Sequence, residues 1–324
     1  MHAFPDRIAR QHPGDPRRYQ LANGRMARLF DDSRLYGERW IVASDVRFDP
    51  RDALVLRGAP LDEARLLRDF SAGFVEEDVV RWDPVQRALV ASRERRFAAI
   101  VLDSRPAGRV DPQRAAHALT DAVRTLGLDV LPWSDALLQW RTRVRALRAW
   151  MPELAPVLPD LSEAMLLATL DDWLQPAFAG KTRLDSLDAG ELGAALMALV
   201  DGGTRRRIDQ LAPARITVPS GMERALHYAI ADDGEPHAPV LAVKLQELFG
   251  LAETPRIVDG RVPLTLHLLS PAGRPLQVTQ DLRGFWERTW PEVRREMKGR
   301  YPRHPWPEDP WSAPATHRAK PRTR

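Results

Sequence analysis

The chain has 324 residues, 44% of them hydrophobic and 28% charged, and a formal net charge of +4. This composition is that of folded domains and excludes a disordered chain, and the length suits about two or three domains. The absence of cysteine excludes disulfides and thiolate metal sites and fits a reducing cytoplasm. There is no apolar run of about 18 residues and no signal-peptide core, so we expect a cytoplasmic protein without a membrane span.

The N-terminal part has the pattern of a linker followed by a β domain. Residues 1–16 are polar and contain proline, which predicts a linker, and residues 17–105 are predicted to form the β domain. Asn23-Gly24 is a hairpin signal, and residues 61–70 have the spacing of a short helix. Strand character is found in residues 40–48, 53–57, 78–82, 87–91 and 97–102. These short strands favour a small OB-like barrel, although an unrelated meander or split barrel fits nearly as well.

A helical region follows a predicted linker at residues 104–108. Helical spacing recurs in residues 111–126, 134–150, 162–174 and 189–200. Ser134 stands where the second of these helices would have its N-cap. We therefore predict a helical region over residues 110–212.

The last part of the chain mixes strand and helix patterns. Strands are predicted over residues 215–218, 226–231 and 262–268, and helices over residues 239–249 and 282–297. Gly250 is a natural end for the first of these helices, and Pro291 should start a new helix within the second. The predicted class is α+β: a small OB-like β-barrel, a helical region, a mixed α/β C-terminal domain over residues 213–310, and a flexible basic tail over residues 311–324.

Positive charge is concentrated near the C-terminus. Residues 270–324 hold twelve Lys and Arg against six Asp and Glu, which indicates a surface for an anionic partner. The candidate nucleic-acid contacts here are Arg283, Arg294, Arg295, Lys298, Arg300, Arg303 and His304, with Trp306 or Trp311 to stack on an unpaired base. The competing interpretation is a solvated helix face, because Glu287, Glu292 and Glu296 can pair with these arginines. Trp286 and Trp290 have the spacing of core residues.

The β domain supplies a second set of candidate contacts. An OB-like barrel binds single strands on its open sheet face and loops. The candidates are Arg25, Arg28, Arg81, Arg87, Arg93, Arg95 and Arg96, with Trp82 as a stacking platform. A structural barrel whose arginines only keep it in solution is an equally good interpretation.

Four segments near the C-terminus form a specific signature. They are VPSGMERALHYA at 218–229, APVLAVKLQELFGLAETP at 238–255, GRVPLTLHLLSPAGRPLQVTQDLRGFW at 260–286 and KGRYPRHPWPEDP at 298–310. They resemble the C-terminal signature of the HrpB family of bacterial ATP-dependent RNA helicases of the DEAH type. The upstream segments DRIAR, RYQLANGRMARL and LPWSDALLQWRTRV resemble the middle region of that family. The resemblance implies the part of the protein after the motor, with an OB-like domain at the exit of the RNA channel.

The resemblance does not extend to the motor. Hydrolysis of a nucleoside triphosphate needs a glycine-rich phosphate loop and acidic Mg²⁺ ligands. Gly180-Lys181-Thr182 lacks the required upstream glycine, since Gln175 stands there, and the chain has no DExH box. ATP and Mg²⁺ would belong to the family's motor, so we expect no cofactor in this chain and no hydrolysis by it alone.

Two further kinds of site fit poorly. Ser220 with His227 or His267 and Asp281 would make a hydrolytic triad, but Val218 stands where a nucleophile elbow has glycine. The eight histidines are scattered without metal-ligand spacing, so we predict no metal. Two functions remain. One is an accessory module of an HrpB-like helicase that binds single-stranded RNA or another nucleic acid. The other is a module that docks onto the helicase motor domains or another protein without contacting RNA.

Overall fold

The computed structural model describes residues 5–49, 51–108 and 110–318. The chain divides into two compact units. The first comprises Met1–Ala122 with Ala179–Leu184, and the second comprises Val123–Phe178 with Asp185–Arg324.

The first unit begins with a closed barrel of five strands. They are β1 (Ile8–His12), β2 (Asp15–Leu21), β3 (Met26–Arg28), β4 (Trp40–Arg47) and β5 (Ala53–Pro60), paired in the order β1-β2-β3-β5-β4. β3 and β5 run parallel, and β1 closes the barrel by pairing with both β2 and β4. The linker predicted over residues 1–16 is therefore wrong in its second half, because Ile8 and Ala9 are fully buried in barrel strands.

Successive side chains of each strand point alternately into and out of the barrel, and the inward-pointing ones fill its interior. Tyr19, Leu21 and Ile41 are fully buried inside it beside Ala27 and Ala43, whose small side chains leave room for the larger ones. Burial raises the pKa of Tyr19 to about 12. Its hydroxyl donates to the carbonyl oxygen of Glu38 at 2.6 Å, which satisfies the buried donor.

The local predictions for the barrel strands are confirmed. The Asn23-Gly24 signal lies in the β2–β3 hairpin, where Gly24 has a φ of +89°, a region that favours glycine. The pair predicted from residues 40–48 and 53–57 is the antiparallel pair of β4 and β5. Both therefore follow from local turn chemistry and alternation.

A separate antiparallel sheet follows the barrel. After α1 (Glu63–Asp69) come β6 (Phe74–Asp83), β7 (Ala88–Phe97) and β8 (Ile100–Pro106), paired in the order β6-β7-β8. The barrel predicted over residues 17–105 thus ends at Pro60, and the later strands belong to this sheet. The strand predicted over residues 97–102 starts too early, because Ala98, with a φ of +46°, turns the chain between β7 and β8, whereas residues 100–102 form strand as predicted. The linker predicted from residue 104 is wrong as far as Pro106.

Residues 179–184 belong to the first unit because they extend this sheet. The amide of Leu89 donates to the carbonyl of Thr182 at 2.8 Å, and Ala88 forms a β-bridge with Arg183. Gly180, with a φ of +75°, follows a turn of 3-10 helix over Gln175–Phe178. The Gly180-Lys181-Thr182 segment is therefore a loop, as interpreted from the sequence, and not a strand-to-helix phosphate loop.

The helical region has six helices over the described residues. They are α2 (Pro112–Leu126), α3 (Asp135–Trp150), α4 (Glu163–Ala168), α5 (Leu170–Trp173), α6 (Ala189–Met197) and α7 (Gly202–Leu211). Ser134 caps α3 as predicted, because its side chain accepts from the amide of Leu137. The single helix predicted over residues 162–174 is broken at Thr169.

The C-terminal part is a mixed sheet followed by helices. The strands are β9 (Arg215–Thr217), β10 (Glu223–His227), β11 (Val240–Lys244), β12 (Arg256–Ile257), β13 (Val262–Pro263), β14 (Thr265–Leu269) and β15 (Pro275–Thr279). The five-stranded sheet has the order β15-β14-β11-β10-β9, with β11 and β14 parallel, and β12 pairs with β13. Then come α8 (Leu282–Gly284), a π-helical turn (Phe285–Thr289) and α9 (Trp290–Arg300), which has Pro291 in its first turn as predicted.

The helix predicted over residues 239–249 is wrong. Residues 240–244 form the central strand β11, in which Leu241 and Val243 alternate onto the buried side of the sheet. A turn of 3-10 helix over Leu245–Glu247 follows it. Short apolar runs have no periodicity that separates a buried strand from a helix, and here the neighbouring strands decide.

The second unit combines most of the helical region with the mixed sheet. Gln139 of α3 accepts a hydrogen bond from the amide of Tyr228 at 2.9 Å and donates one to its carbonyl at 3.2 Å. The side-chain amide thus pairs with the backbone as a neighbouring strand would. The predicted boundary at residue 212 therefore lies inside one compact unit.

Candidate nucleic-acid interface

One end of the barrel carries a small groove with an exposed aromatic ring. The β2–β3 and β4–β5 loops lie at the same end because β3 and β5 are parallel and Ala27 is opposite Ala53. Between these loops lies a cavity of 280 Å³, which we call the barrel groove. It is lined by Arg25, Met26, Phe48, Asp49, Arg51 and Ala53. Pockets for drug-sized ligands have volumes of about 300–1,000 Å³, so this groove fits a smaller group.

The aromatic ring of the groove is surrounded by guanidinium groups. Phe48 is 46% exposed, and the guanidinium carbons of Arg25 and Arg7 lie 4.9 and 5.8 Å from its ring centroid. Cations at this distance from a ring face are attracted to it. Arg51 faces the same groove, where Asp49 is the one carboxylate in its lining. The groove therefore presents positive charge beside an exposed ring.

Two predicted residues, Arg25 and Arg28, lie at this end of the barrel. Arg28 is exposed on β3, next to Arg18 of β2, whose guanidinium pairs with Asp52 at 2.9 Å. Arg25, Arg28 and Arg51 have no ion-pair partner within residues 5–49, 51–108 and 110–318. Their charges are therefore open to a ligand.

The arginines predicted on the later strands are mostly engaged with acids. Arg81 donates to both carboxylate oxygens of Glu94, which is 1% exposed. Ion pairs also join Arg93 to Asp78 at 2.9 Å and Arg96 to Glu77 at 2.9 Å. Arg95 lies 5.7 Å from the ring of Phe74, and Arg87 is exposed in the β6–β7 turn.

Arg81 and Trp82 do not form the predicted pair of contact and stacking platform. They are consecutive on β6, so their side chains point to opposite faces of the sheet. Trp82 is half-buried, and Arg81 stabilises the buried Glu94. In this fold both side chains stabilise the sheet.

A larger cavity of 530 Å³ lies between this sheet and the start of α2. Its floor is apolar, with Val80 and Ala91, and its charged rim is already neutralised. Arg93 pairs with Asp78, and Arg114 donates to the Asp78 carbonyl. Such a rim gives little attraction for an anion, so the barrel groove is the better candidate.

The end of the C-terminal signature and the residues after it form a structural strap over residues 301–316. The amide of Gly250 donates to the carbonyl of Pro310 at 2.9 Å, and the amide of Thr316 donates to the carbonyl of Gln246 at 3.0 Å. The flexible tail predicted from residue 311 is therefore wrong up to residue 316, because backbone hydrogen bonds fix it. Residues 319–324 lie outside the described part of the chain.

Trp306, predicted as a stacking residue, is part of the core. It is 9% exposed, its ring centroid lies 5.9 Å from that of Trp290, and its Nε1 donates to the carbonyl of Tyr301 at 2.9 Å. Trp286 and Trp290 are buried in the same aromatic cluster, as predicted. Trp311 is half-buried, with the guanidinium of Arg283 5.9 Å from its ring.

Several predicted cations of this region also have internal partners. Arg294 donates to the carbonyl of Trp306 at 3.0 Å and to Glu308 at 2.8 Å, so it fastens the strap to α9. Arg283 pairs with Glu253 at 2.9 Å. Arg300 lies 3.8 Å from Glu296. In the described ranges Arg295, Lys298 and Arg303 have no ion-pair partner, and all three are exposed.

The hydrolytic triad is not assembled. His227 lies on β10 and His267 on β14, with β11 between them, so about 10 Å separates their backbones. The Asp281 carboxylate already has two hydrogen-bond partners, since it accepts from the amide of Gly284 and from Arg288, each at 2.7 Å.

Among the described residues no group of three or more His, Asp or Glu is placed to hold a metal ion. Within the same residues, no helix has the length and apolar character needed to cross a bilayer.

Sequence reasoning missed Phe48 and Arg51. Phe48 ends the alternating segment of residues 40–48, and the alternation predicts it as part of that strand. Asp49 follows it directly, and an aromatic residue before an Asp-Pro turn is the signal that would have placed it on a loop.

Comparison with known proteins finds matches for segments of both units. A family model for the C-terminal region of ATP-dependent helicases, HrpB_C, matches residues 173–310, and a model for the connector region of ATP-dependent RNA helicase HrpB matches residues 74–107. The chain is 38% identical over 329 residues to the ATP-dependent RNA helicase HrpB of Escherichia coli strain K12. This match covers 98% of this chain and 39% of that protein.

Two solved structures share the fold. The E. coli DExH-box NTPase HrpB has a TM-score of 0.64 at 38% identity, covering 98% of this chain and 38% of that one. The E. coli DEAH/RHA helicase HrpB has a TM-score of 0.56 at 36% identity, covering 94% and 37%. The connector match coincides with the sheet of β6, β7 and β8. The chain therefore belongs to the HrpB family of ATP-dependent helicases and corresponds to the C-terminal part of its members.

Proposed function

We propose that this chain is an accessory nucleic-acid-binding part of an HrpB-like ATP-dependent RNA helicase, and that single-stranded RNA binds at the barrel groove. The observation that carries the proposal is the Phe48 ring, which is 46% exposed, has the guanidinium carbons of Arg25 and Arg7 at 4.9 and 5.8 Å from its centroid, and lines the groove with Arg51. Single strands are held by cations that contact phosphates and by aromatic rings on which bases stack.

The barrel topology supports this placement. A closed five-stranded barrel in the order β1-β2-β3-β5-β4 fits an OB-fold, which binds oligonucleotides on the β2–β3 face and the β4–β5 loop. Arg28 lies on that face, and Phe48 and Arg51 lie in that loop. ATP and Mg²⁺ would act in the part of the relatives that this chain does not match. The expected partners are RNA and the helicase motor domains, in the cytoplasm.

The test is fluorescence anisotropy of the whole chain with a short labelled single-stranded RNA. We expect Phe48→Ala to weaken binding by about 1–3 kcal/mol, the loss of one stacked base. The double change of Arg25→Ala and Arg51→Ala should lower the slope of log K against log salt by about 1.4, which is about 0.7 for each phosphate contact.

The control is the double change of Arg34→Ala and Arg57→Ala, which also removes two positive charges, from exposed positions outside the groove lining. It should leave both the affinity and the slope near those of the unchanged protein. If the unchanged protein fails to bind at about 50 mM salt, the proposal is wrong. If it binds but Phe48→Ala has no effect, RNA does not use this groove, and docking onto protein becomes the better explanation of the barrel.

A further inference from the structure

The hydrogen bond between His304 and Gln246 brings three basic residues into the same region at the base of the strap. The His304 Nδ1 lies 3.0 Å from the Oε1 of Gln246, and Arg303 is the residue next to His304. Lys244 ends β11, two residues before Gln246. We call Lys244, Arg303 and His304 the cation cluster.

The charges acting on His304 are all of one sign. Burial lowers the pKa of His304, and the positive charges of Lys244 and Arg303 lower it further. Neither Lys244 nor Arg303 has an ion-pair partner among residues 5–49, 51–108 and 110–318. Some exposed arginines of this unit do have acidic partners, such as Arg215 with Glu223 and Arg261 with Glu153. Like charges held together without a counter-charge repel each other, and a bound anion would relieve this repulsion.

The backbone that carries the cluster is held on both sides. The amide of Tyr301 donates to Met297 at the end of α9, and the amide of His304 donates to Tyr301 at 3.1 Å. Gln246 is 2% exposed and fixes the His304 ring from the other side. The backbone that carries Arg303 and the His304 ring is therefore ordered before a ligand binds, which reduces the backbone entropy lost on binding.

We propose that Lys244, Arg303 and His304 form a second anion site, on the C-terminal unit, that binds phosphate groups of single-stranded RNA. The choice of RNA rests on the proposed function, whereas the anion site stands on the cluster itself. Lys298 and Arg300, at the C-terminal end of α9, extend the positive surface along the chain toward Arg303. The contact is with phosphates and not with bases, because Trp306 is buried and offers no ring for stacking. An acidic protein is less favoured, since interface hot spots combine arginine with tryptophan and tyrosine, and the cation cluster contains neither aromatic residue.

The experiment compares two probes on the full chain. One is a short labelled single-stranded RNA, and the other is an abasic oligonucleotide of the same length, which keeps the phosphates and lacks bases. Binding is measured between about 50 and 200 mM salt for the unchanged protein and for the double variant of Lys244→Ala and Arg303→Ala. The matched control, Arg215→Ala with Arg261→Ala, removes the same charge from paired arginines of the same unit.

We expect the Lys244 and Arg303 variant to lower the salt slope by about 1.4 for both probes, because two phosphate contacts are lost. The control should keep the slope of the unchanged protein. A Lys244 and Arg303 variant that keeps that slope for both probes would overturn the inference, whatever Phe48→Ala does. Equal losses in the variant and the control would overturn it too, since only total charge would then matter.

The two proposals fail in different ways. If RNA binding depends on Phe48 but not on Lys244 and Arg303, the barrel groove is a binding site and the cation cluster is not. If the unchanged protein binds the abasic probe through Lys244 and Arg303 but RNA binding does not depend on Phe48, the cluster stands and the groove fails. If neither probe binds at about 50 mM salt, both are wrong.

Discussion

Both carboxylate oxygens of Glu247 accept hydrogen bonds from the guanidinium of Arg224, each at 2.8 Å. Glu247 is fully buried, and it lies in the 3-10 turn that follows β11. Arg224 lies on the neighbouring strand β10. The pair therefore fixes the turn from which Gln246 reaches the strap, and it joins the sheet to the region of the cation cluster.

Removing Arg224 leaves a buried carboxylate without its partner. We expect Arg224→Ala to lower the free energy of unfolding by about 3–5 kcal/mol, because breaking a buried pair exposes the cost of an uncompensated charge. Urea denaturation measures the change. Arg215→Ala is the control, since its pair with Glu223 is exposed and should contribute less than about 1 kcal/mol. Equal effects of the two substitutions would show that the Glu247 carboxylate reaches solvent.

Gly284 lies directly against two charged side chains, those of Asp281 and Arg288. A Cβ at this position would overlap the Arg288 guanidinium and the Asp281 carboxylate that caps α8. We expect Gly284→Ala to destabilise the protein by about 0.5–2 kcal/mol, because the Asp281 side chain must move and its cap on the Gly284 amide is lost. Gly299→Ala is the matched control, because it lies in α9 with open space around it and should stabilise by up to about 1 kcal/mol. The prediction fails if thermal unfolding shows that the two substitutions have the same sign.

The pair of Glu94 and Arg81 should make stability depend on acid pH. Hydrogen bonds from Arg81 lower the pKa of Glu94 below its ordinary value of about 4.3, although burial opposes them. A carboxyl whose pKa is lower in the folded state adds stability above its unfolded pKa, and this is lost as pH falls through the folded value. Glu94→Gln should therefore be less stable than the unchanged protein at pH 7, and the difference should shrink below about pH 4. Urea unfolding at a series of pH values measures this, and a difference that does not vary with pH would contradict it.

Trp306 tests whether the strap is structural. We expect Trp306→Ala to destabilise by about 3–5 kcal/mol, because a buried ring and its hydrogen bond to Tyr301 are lost. Trp311→Ala should cost less, since Trp311 is half-buried. Below the unfolding temperature, RNA affinity of the Trp306 variant should match that of the unchanged protein. A large loss of affinity without loss of stability would return Trp306 to the binding surface.

Local signals predicted the elements whose causes lie within a few residues. The Ser134 cap, the Gly24 turn and the Pro291 helix start are all present, because each depends on short-range backbone chemistry. The helix predicted over residues 239–249 is wrong, because pairing with β10 and β14 on either side makes residues 240–244 a strand. The five-stranded barrel also ends earlier than predicted, because strand character does not reveal which strands pair.

For the candidate site the division is similar. Arg25 and Arg28 could be named from the sequence, since charge and a hairpin signal are local. Whether a cation is open to a ligand depends on partners far along the chain, such as Glu94 for Arg81 and Glu308 for Arg294.

The sequence by itself determined the family, the α+β class and the concentration of positive charge near the C-terminus, because residue order and composition carry that information directly. Only the tertiary structure decided how that charge is used. It buries Trp306 and pairs Arg294, and among the residues that the structure describes it leaves Lys244 and Arg303 without a counter-charge. The physical reason is that burial and ion pairing are set by contacts between distant segments, which no local pattern records.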